Sequence, residues 1–229
     1  MIKVHLRALS RRIATDEPTR RMLAVAGYLA FTLLLPLVFH DLAPMLLLPA
    51  GAAFLWLAGL LRDPSGARPL ADTLSLKPLT SGQPAMTALA LIGALAAVAL
   101  AAEGTRRGLD FFGIHYREEQ ELVRILKHSG TAERFFIGVV AVVLAPVGEE
   151  IVFRKVIFDL LRPAGIASAV ILSSALFAVL HFHLVGVVAL GLLGAILQLL
   201  FLKTDNLWCP IQAHAAFNLL TFIAASAAA

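Results

Sequence analysis

The segment APVGEEIVFRKVIF, residues 145–158, decides how the rest of the chain is interpreted. It lies in one of the most apolar parts of the sequence, yet it carries carboxylates at Glu149 and Glu150 and a guanidinium at Arg154. Ionisable groups inside a membrane-spanning helix are costly, by ~3 kcal/mol on insertion scales, and they usually face a bundle interior or a water-filled cavity. If this segment spans a membrane, its charges indicate a functional site.

The composition is that of a membrane protein. Hydrophobic residues make up 59% of the 229 residues and charged residues only 15%, whereas a typical soluble domain is about half apolar and a quarter charged. This predicts an all-α, polytopic transmembrane helix bundle. The net charge of +4 is modest and indicates a positive-inside bias rather than nucleic-acid binding. The single cysteine excludes an intramolecular disulfide and a Cys-rich metal site.

Apolar stretches of about 20 residues predict about seven spans. They cover approximately residues 22–39, 42–61, 85–102, 135–161, 166–183, 185–202 and 207–226. The polar insert at 103–134 contains Leu122, Ile125 and Leu126 among mixed charges, which predicts an amphipathic surface helix ending at Gly130. The basic segment before the first span predicts a cytoplasmic N-terminus.

Spacing within the fourth span separates the two carboxylates. Glu150 and Arg154 are four residues apart, so they share a helix face and can form a pair. Glu149 is rotated by about 100° from Glu150, which predicts a different role for it. Pro146 removes a backbone donor, which in an α-helix leaves the carbonyl of Val142 without its partner and predicts a local disturbance of the helix. Such a disturbance is tolerated where protein or cavity water satisfies the freed carbonyl.

Two later spans repeat the four-residue spacing, with Phe177 and His181 in one and His214 and Asn218 in the other. Taken singly, each residue has a structural explanation, because an intramembrane His or Asn usually bonds a neighbouring helix. Taken together, one carboxylate, two imidazoles and an amide form a complete set for acid–base chemistry and oxyanion stabilisation.

Three motifs in order carry a resemblance to a known family: EEIVFR at 149–154, FAVLH at 177–181 and HAAFN at 214–218. The sequence resembles the CPBP intramembrane proteases, which include the CAAX prenyl endopeptidases and the bacterial Abi proteins. The resemblance covers roughly residues 135–222. It implies a catalytic core of about four spans at 135–229, preceded by an N-terminal membrane region of about three spans at 1–134.

The resemblance also implies roles for the motif residues. Glu149 would act with His181 to activate water, and His214 with Asn218 would stabilise the oxyanion of a tetrahedral intermediate. The remaining motif residues would support the shape of the site; these are Glu150, Arg154 and Phe177. The reaction would be hydrolysis of a peptide bond near the membrane, by a glutamic-type intramembrane endopeptidase that needs no cofactor.

Other interpretations of the same residues remain open. Glu149, His181 and His214 could bind zinc with an open fourth position, although the His-Glu-x-x-His spacing is not present. A proton-coupled transporter would use the same groups as a proton relay. A non-catalytic immunity or scaffold protein could retain the fold.

The expected partners are a membrane-associated protein or peptide substrate and the lipid bilayer, with no nucleic acid. The expected location is a bacterial inner membrane. The sequence leaves the substrate, the membrane face of the site and the oligomeric state open.

Overall fold

The computed structural model of the protein describes residues 70–116, 121–181 and 183–229. Within these ranges the chain is 82% helical and contains no strand, which confirms the predicted all-α class. The helices are, in chain order, α1 (Leu70–Thr73), α2 (Gln83–Phe111), α3 (Glu121–His128), α4 (Thr131–Ala164), α5 (Ile166–Val179), α6 (Val187–Thr204) and α7 (Trp208–Ala228).

Four helices in the described ranges, α2, α4, α6 and α7, are long and apolar enough to cross a membrane. They coincide with the spans predicted at 85–102, 135–161, 185–202 and 207–226. The spans predicted at 22–39 and 42–61 lie outside the described residues, so the total of about seven stays a prediction.

The span predicted at 166–183 is the shorter helix α5. It has 14 residues, or about 21 Å at 1.5 Å per residue. The chain leaves the helix early because the amide of His181 bonds to the carbonyl of Ala178, three residues back. A helix shorter than the ~30 Å hydrocarbon core allows its C-terminal end, with His181, to lie at membrane depth.

The core lies where α2, the second half of α4 and helices α5 to α7 meet. Its buried side chains include Phe153, Phe177, Leu193, Leu197 and Ile211. The outward faces of the same bundle are also apolar. More than half of the side chain is exposed at Leu89, Leu100, Ile171 and Ile223. Helices that are apolar on every side are typical of a membrane environment.

A polar clamp joins the start of α2 to the connection between α6 and α7. The buried side chain of Asn206 donates to the carbonyl of Lys77 and to Oε1 of Gln83, both at 3.0 Å. Gln83 in turn donates to the carbonyl of Thr204 at 3.0 Å. The start of α2, the end of α6 and the start of α7 therefore lie on one side of the bundle.

Helix α3 is the predicted amphipathic helix. Its Leu126 is fully buried and packs with Ile137 of α4 and Ala225 of α7. The helix therefore lies across the start of α4 and the end of α7, at the opposite side of the bundle from the Asn206 clamp. Its position on the membrane surface stays a prediction.

Candidate active site

The two adjacent carboxylates lie between irregular turns of α4. An α-helical stretch at Ala145–Glu150 is flanked by π-helical turns at Val140–Leu144 and Ile151–Ile157. Such turns are rare and occur frequently at functional sites. Because a π turn holds more residues than an α turn, it changes the direction in which the following side chains point.

Glu150 and Arg154 form the pair that their spacing predicts. Both side chains are fully buried. Nε of Arg154 donates to Oε2 of Glu150 at 2.7 Å, and Nη2 donates to Oε1 at 3.2 Å. This is a bidentate contact, which is the strong geometry for a guanidinium and a carboxylate.

Arg154 also bonds to helix α6, through a contact that a glycine makes possible. Its Nη1 donates to the carbonyl of Gly194 at 2.9 Å. A Cβ atom at Gly194 would lie 3.2 Å from Cα of Ser174 and 3.3 Å from the ring of Phe177. The absence of a side chain therefore lets α6 come close enough to present its carbonyl to the guanidinium.

His214 on α7 contacts both carboxylates of α4. Its Nδ1 lies 2.9 Å from Oε1 of Glu150. A carboxylate paired with Arg154 can only accept a hydrogen bond, so Nδ1 of His214 carries the hydrogen. The other ring nitrogen, Nε2, lies 3.6 Å from Oε2 of Glu149.

The Nδ1 atom of His181, like that of His214, is bound to an acceptor, which here is a backbone carbonyl. It donates to the carbonyl of Phe177 at 2.6 Å, and Nε2 of the same ring lies 4.0 Å from Oε2 of Glu149. The buried ring of Phe177 is 4.6 Å from the His181 ring and 5.8 Å from the His214 ring, between centroids. Phe177 therefore packs against both imidazoles.

Glu149 lies between the two histidines. Its Oε2 is buried and has no hydrogen-bond partner among the described residues. The distances of 3.6 and 4.0 Å to the Nε2 atoms of His214 and His181 exceed a hydrogen bond. Of the three side chains His181 is the most accessible, at 28% exposed against 5% for Glu149. Solvent therefore reaches the cluster most directly at His181.

Asn218 lies one turn from His214 on α7, but its amide contacts the backbone of α4. Nδ2 donates to the carbonyl of Ala141 at 2.8 Å. One of the two hydrogens of the amide is thus used by a carbonyl of the protein. Whether the other hydrogen serves an oxyanion stays a prediction.

The third histidine of this region, His183, packs against Gly186 at the start of α6. Among the contacts of the described residues, the ones that join an imidazole to Glu149 come from His181 and His214. Of the two histidines at the end of α5, the structure therefore places His181 beside the carboxylate.

Sequence reasoning missed the three backbone carbonyls of the site, which belong to Ala141, Phe177 and Gly194. It also missed two buried polar side chains without a hydrogen-bond partner in the described part of the chain, Ser174 and Gln198. Carbonyls carry no sequence signal of their own. Pro146 indicated that a carbonyl of α4 would need a donor from elsewhere. The observed donor meets the carbonyl of Ala141 rather than that of Val142, because the turn before Pro146 has a five-residue register.

The alternative zinc ligands, Glu149, His181 and His214, do lie close together. Among the described residues, however, no group of three or more His, Cys, Asp or Glu side chains is arranged to hold a metal ion. The expectation that the reaction needs no cofactor stays a prediction.

Residues 131–220 match the family described as type II CAAX prenyl endopeptidase Rce1-like. The chain carries an Rce1-like domain. The matched range contains every motif residue from Glu149 to Asn218. The predicted resemblance to the CPBP intramembrane proteases is confirmed over this domain.

A similar protein of Bacillus subtilis (strain 168) is named "Putative membrane peptidase YdiL". The two chains are 27% identical over 154 residues, which are 66% of this chain and 62% of the Bacillus protein. The chain thus spans less than two thirds of that relative. No solved structure matches the chain. Together with the long apolar helices, these matches identify an integral membrane protein.

Proposed function

We propose that the protein is an intramembrane endopeptidase. It hydrolyses a peptide bond near the membrane in a membrane-associated or C-terminally anchored protein or peptide precursor. One observation carries the proposal: the buried carboxylate of Glu149 lies between the Nε2 atoms of two histidines, at 3.6 and 4.0 Å. The Rce1-like domain and the similarity to a protein named as a membrane peptidase support it.

The hydrogen-bond partners of the two histidines determine their tautomers. Both Nδ1 atoms face acceptors, the Phe177 carbonyl and the Glu150 carboxylate. In its neutral ring, Nε2 of His181 therefore presents a lone pair towards Glu149, whereas His214 presents an Nε2–H group when its ring is protonated. A water molecule that reaches this cluster meets two groups able to accept its proton, Glu149 and His181, which is what general-base activation requires.

The reaction proceeds in two steps. Glu149, assisted by His181, takes a proton from water, and the hydroxide oxygen forms a bond with the carbonyl carbon of the substrate. As the C–N bond breaks, the same proton passes to the leaving amine. In the intermediate the oxyanion needs a donor, and Nε2 of His214 is a donor only when the ring is protonated. The Glu150 carboxylate at Nδ1 favours that charged ring, as the carboxylate does in a Ser-His-Asp triad.

In this scheme Glu150 and Arg154 hold the helices that carry the reacting groups in place. Arg154 ties Glu150 to Gly194 on α6, and Glu150 ties His214 on α7 to α4. Three helices are thereby joined around one buried ion pair. Phe177 supports the two imidazoles on α5 and α7 by packing and through its carbonyl.

The place of the reaction is part of the proposal. We assign the catalytic core to residues 135–229 and the N-terminal membrane region to 1–134. The protein is assigned to a bacterial inner membrane, with its N-terminus in the cytoplasm on the basis of its basic first segment. Its partners are the lipid bilayer and a membrane-associated substrate, with no nucleic acid and no cofactor.

The deciding experiment measures cleavage of a membrane-anchored reporter by the purified full chain in detergent. Glu149→Gln keeps the shape of the side chain but removes the proton acceptor, so turnover should fall by at least ~10²-fold. Asp159→Asn is the matched control. It makes the same acid-to-amide change on the same helix, at a residue paired with Lys155 at 3.5 Å, and should retain activity. Near wild-type turnover by Glu149→Gln would refute the assignment. A wild-type protein without proteolysis would favour the transporter or scaffold interpretations.

A further inference from the structure

The first π turn of α4 leaves one carbonyl without a donor from its own helix. The amide of Ala145 bonds to the carbonyl of Val140, five residues back, so it is not directed at Ala141 as it would be in an α-helix. In this five-residue register the next donor, for the carbonyl of Ala141, would be residue 146. Residue 146 is proline and has no N–H group.

Asn218 supplies the missing donor from helix α7. Its Nδ2 lies 2.8 Å from the carbonyl oxygen of Ala141. Ala141 and Asn218 are half-buried, and a carbonyl without a partner is destabilising at membrane depth, where no water satisfies it. The side-chain amide therefore does what the backbone amide of residue 146 cannot do.

Helices α7 and α4 pack closely against each other on both sides of this hydrogen bond. One turn after Asn218, the ring of Phe222 lies against Gly138, where a Cβ atom would be 3.1 Å from it. One turn before Asn218, His214 contacts Glu149 and Glu150. Three successive turns of α7 thus follow α4 from Gly138 to the carboxylates, and Asn218 is the middle contact.

We propose that the main contribution of Asn218 is to position Glu149, by replacing the backbone donor that Pro146 removes. This inference rests on the proposed function for its catalytic part, whereas the hydrogen bond itself is tested by stability alone. Without the amide, the turn at Val140–Leu144 can relax towards an α-helical register. A change of one residue in register rotates the following side chains by about 100°. Glu149 would then leave its place between His181 and His214.

A double-mutant cycle with Pro146 tests the proposal in the full chain. Asn218→Ala should lower the melting temperature by ~5 °C and turnover roughly 10- to 100-fold, the scale of a misplaced reacting group. Pro146→Ala restores an N–H group at residue 146. If Asn218 replaces that group, adding Pro146→Ala to Asn218→Ala should recover most of both losses. The loss should appear in kcat more than in KM, because the substrate site itself is unchanged.

The matched control is Asn206→Ala, which removes another side-chain amide that donates to a backbone carbonyl, at Lys77. Pro146→Ala should not rescue this variant, because the two sites share no contact. A double variant as unstable and as slow as Asn218→Ala alone would overturn the proposal. Recovery of the melting temperature without recovery of turnover would also overturn it, in favour of a direct oxyanion donor. If the wild-type chain shows no proteolysis, the proposed function fails, while the melting temperatures still decide whether the bond exists.

Discussion

Removal of the Arg154 charge is the sharpest test of how the site is held together. Arg154→Met keeps most of the volume of the side chain but deletes its hydrogen bonds to both oxygens of Glu150 and to the carbonyl of Gly194. Breaking a buried ion pair by removing one partner costs about 3–5 kcal/mol. Because His214 still contacts Oε1 of Glu150 at 2.9 Å, we expect the free energy of unfolding to fall by about 3 kcal/mol, the lower end of this range. For a chain of this size that lowers the melting temperature by about 6–12 °C.

Thermal unfolding in one detergent measures this effect, with two further variants for comparison. Lys155→Met removes the neighbouring positive charge, whose pair with Asp159 is partly exposed and 3.5 Å long. It should cost no more than about 1 kcal/mol. The double variant Glu150→Gln/Arg154→Met removes both charges, and such pairs are often replaced at little cost.

The double variant should therefore regain much of the lost stability. It should not regain activity, because a neutral Gln at residue 150 no longer favours a protonated His214. If Arg154→Met melts like the wild type, the ion pair does not hold the helices together. If the double variant is fully active, the assigned link between Glu150 and His214 is wrong.

Three further outcomes are expected. His214→Ala should lower turnover ~10²–10³-fold, the scale of a lost oxyanion donor, with a smaller change in KM; a loss of substrate binding alone, measured with a crosslinkable substrate, would contradict this. Gly194→Ala should destabilise the protein by ~1–3 kcal/mol in thermal unfolding, because its Cβ would lie 3.2 Å from Ser174; an unchanged melting temperature would show that α5 and α6 can separate freely. Elemental analysis of the purified protein should find no stoichiometric transition metal, and a phenanthroline-type chelator should not abolish cleavage; one zinc per chain with zinc-dependent activity would reassign His214 as a ligand.

Much of the site was predictable because helical periodicity is local. Four-residue spacing places Glu150 with Arg154 and His214 with Asn218 on common helix faces whatever the rest of the fold. The length of the apolar stretches likewise predicts membrane-spanning helices without knowledge of how these helices pack. The position of the first π turn was only partly foreseeable. Pro146 indicated a disturbance, but the choice between an α and a π register depends on whether the neighbouring helix supplies a donor for the freed carbonyl.

The sequence by itself determined the class of the protein, its motif residues and the different directions of Glu149 and Glu150, because these follow from composition and from the geometry of one helix. Only the tertiary structure decided which groups meet. It placed His214 between the two carboxylates, directed the amide of Asn218 to the carbonyl of Ala141 and brought the carbonyl of Gly194 to Arg154. The physical reason is the same in each case. These partners are on different helices, 40 to 77 residues apart in the chain, and two of the acceptors are backbone carbonyls, which every residue possesses and no sequence pattern distinguishes.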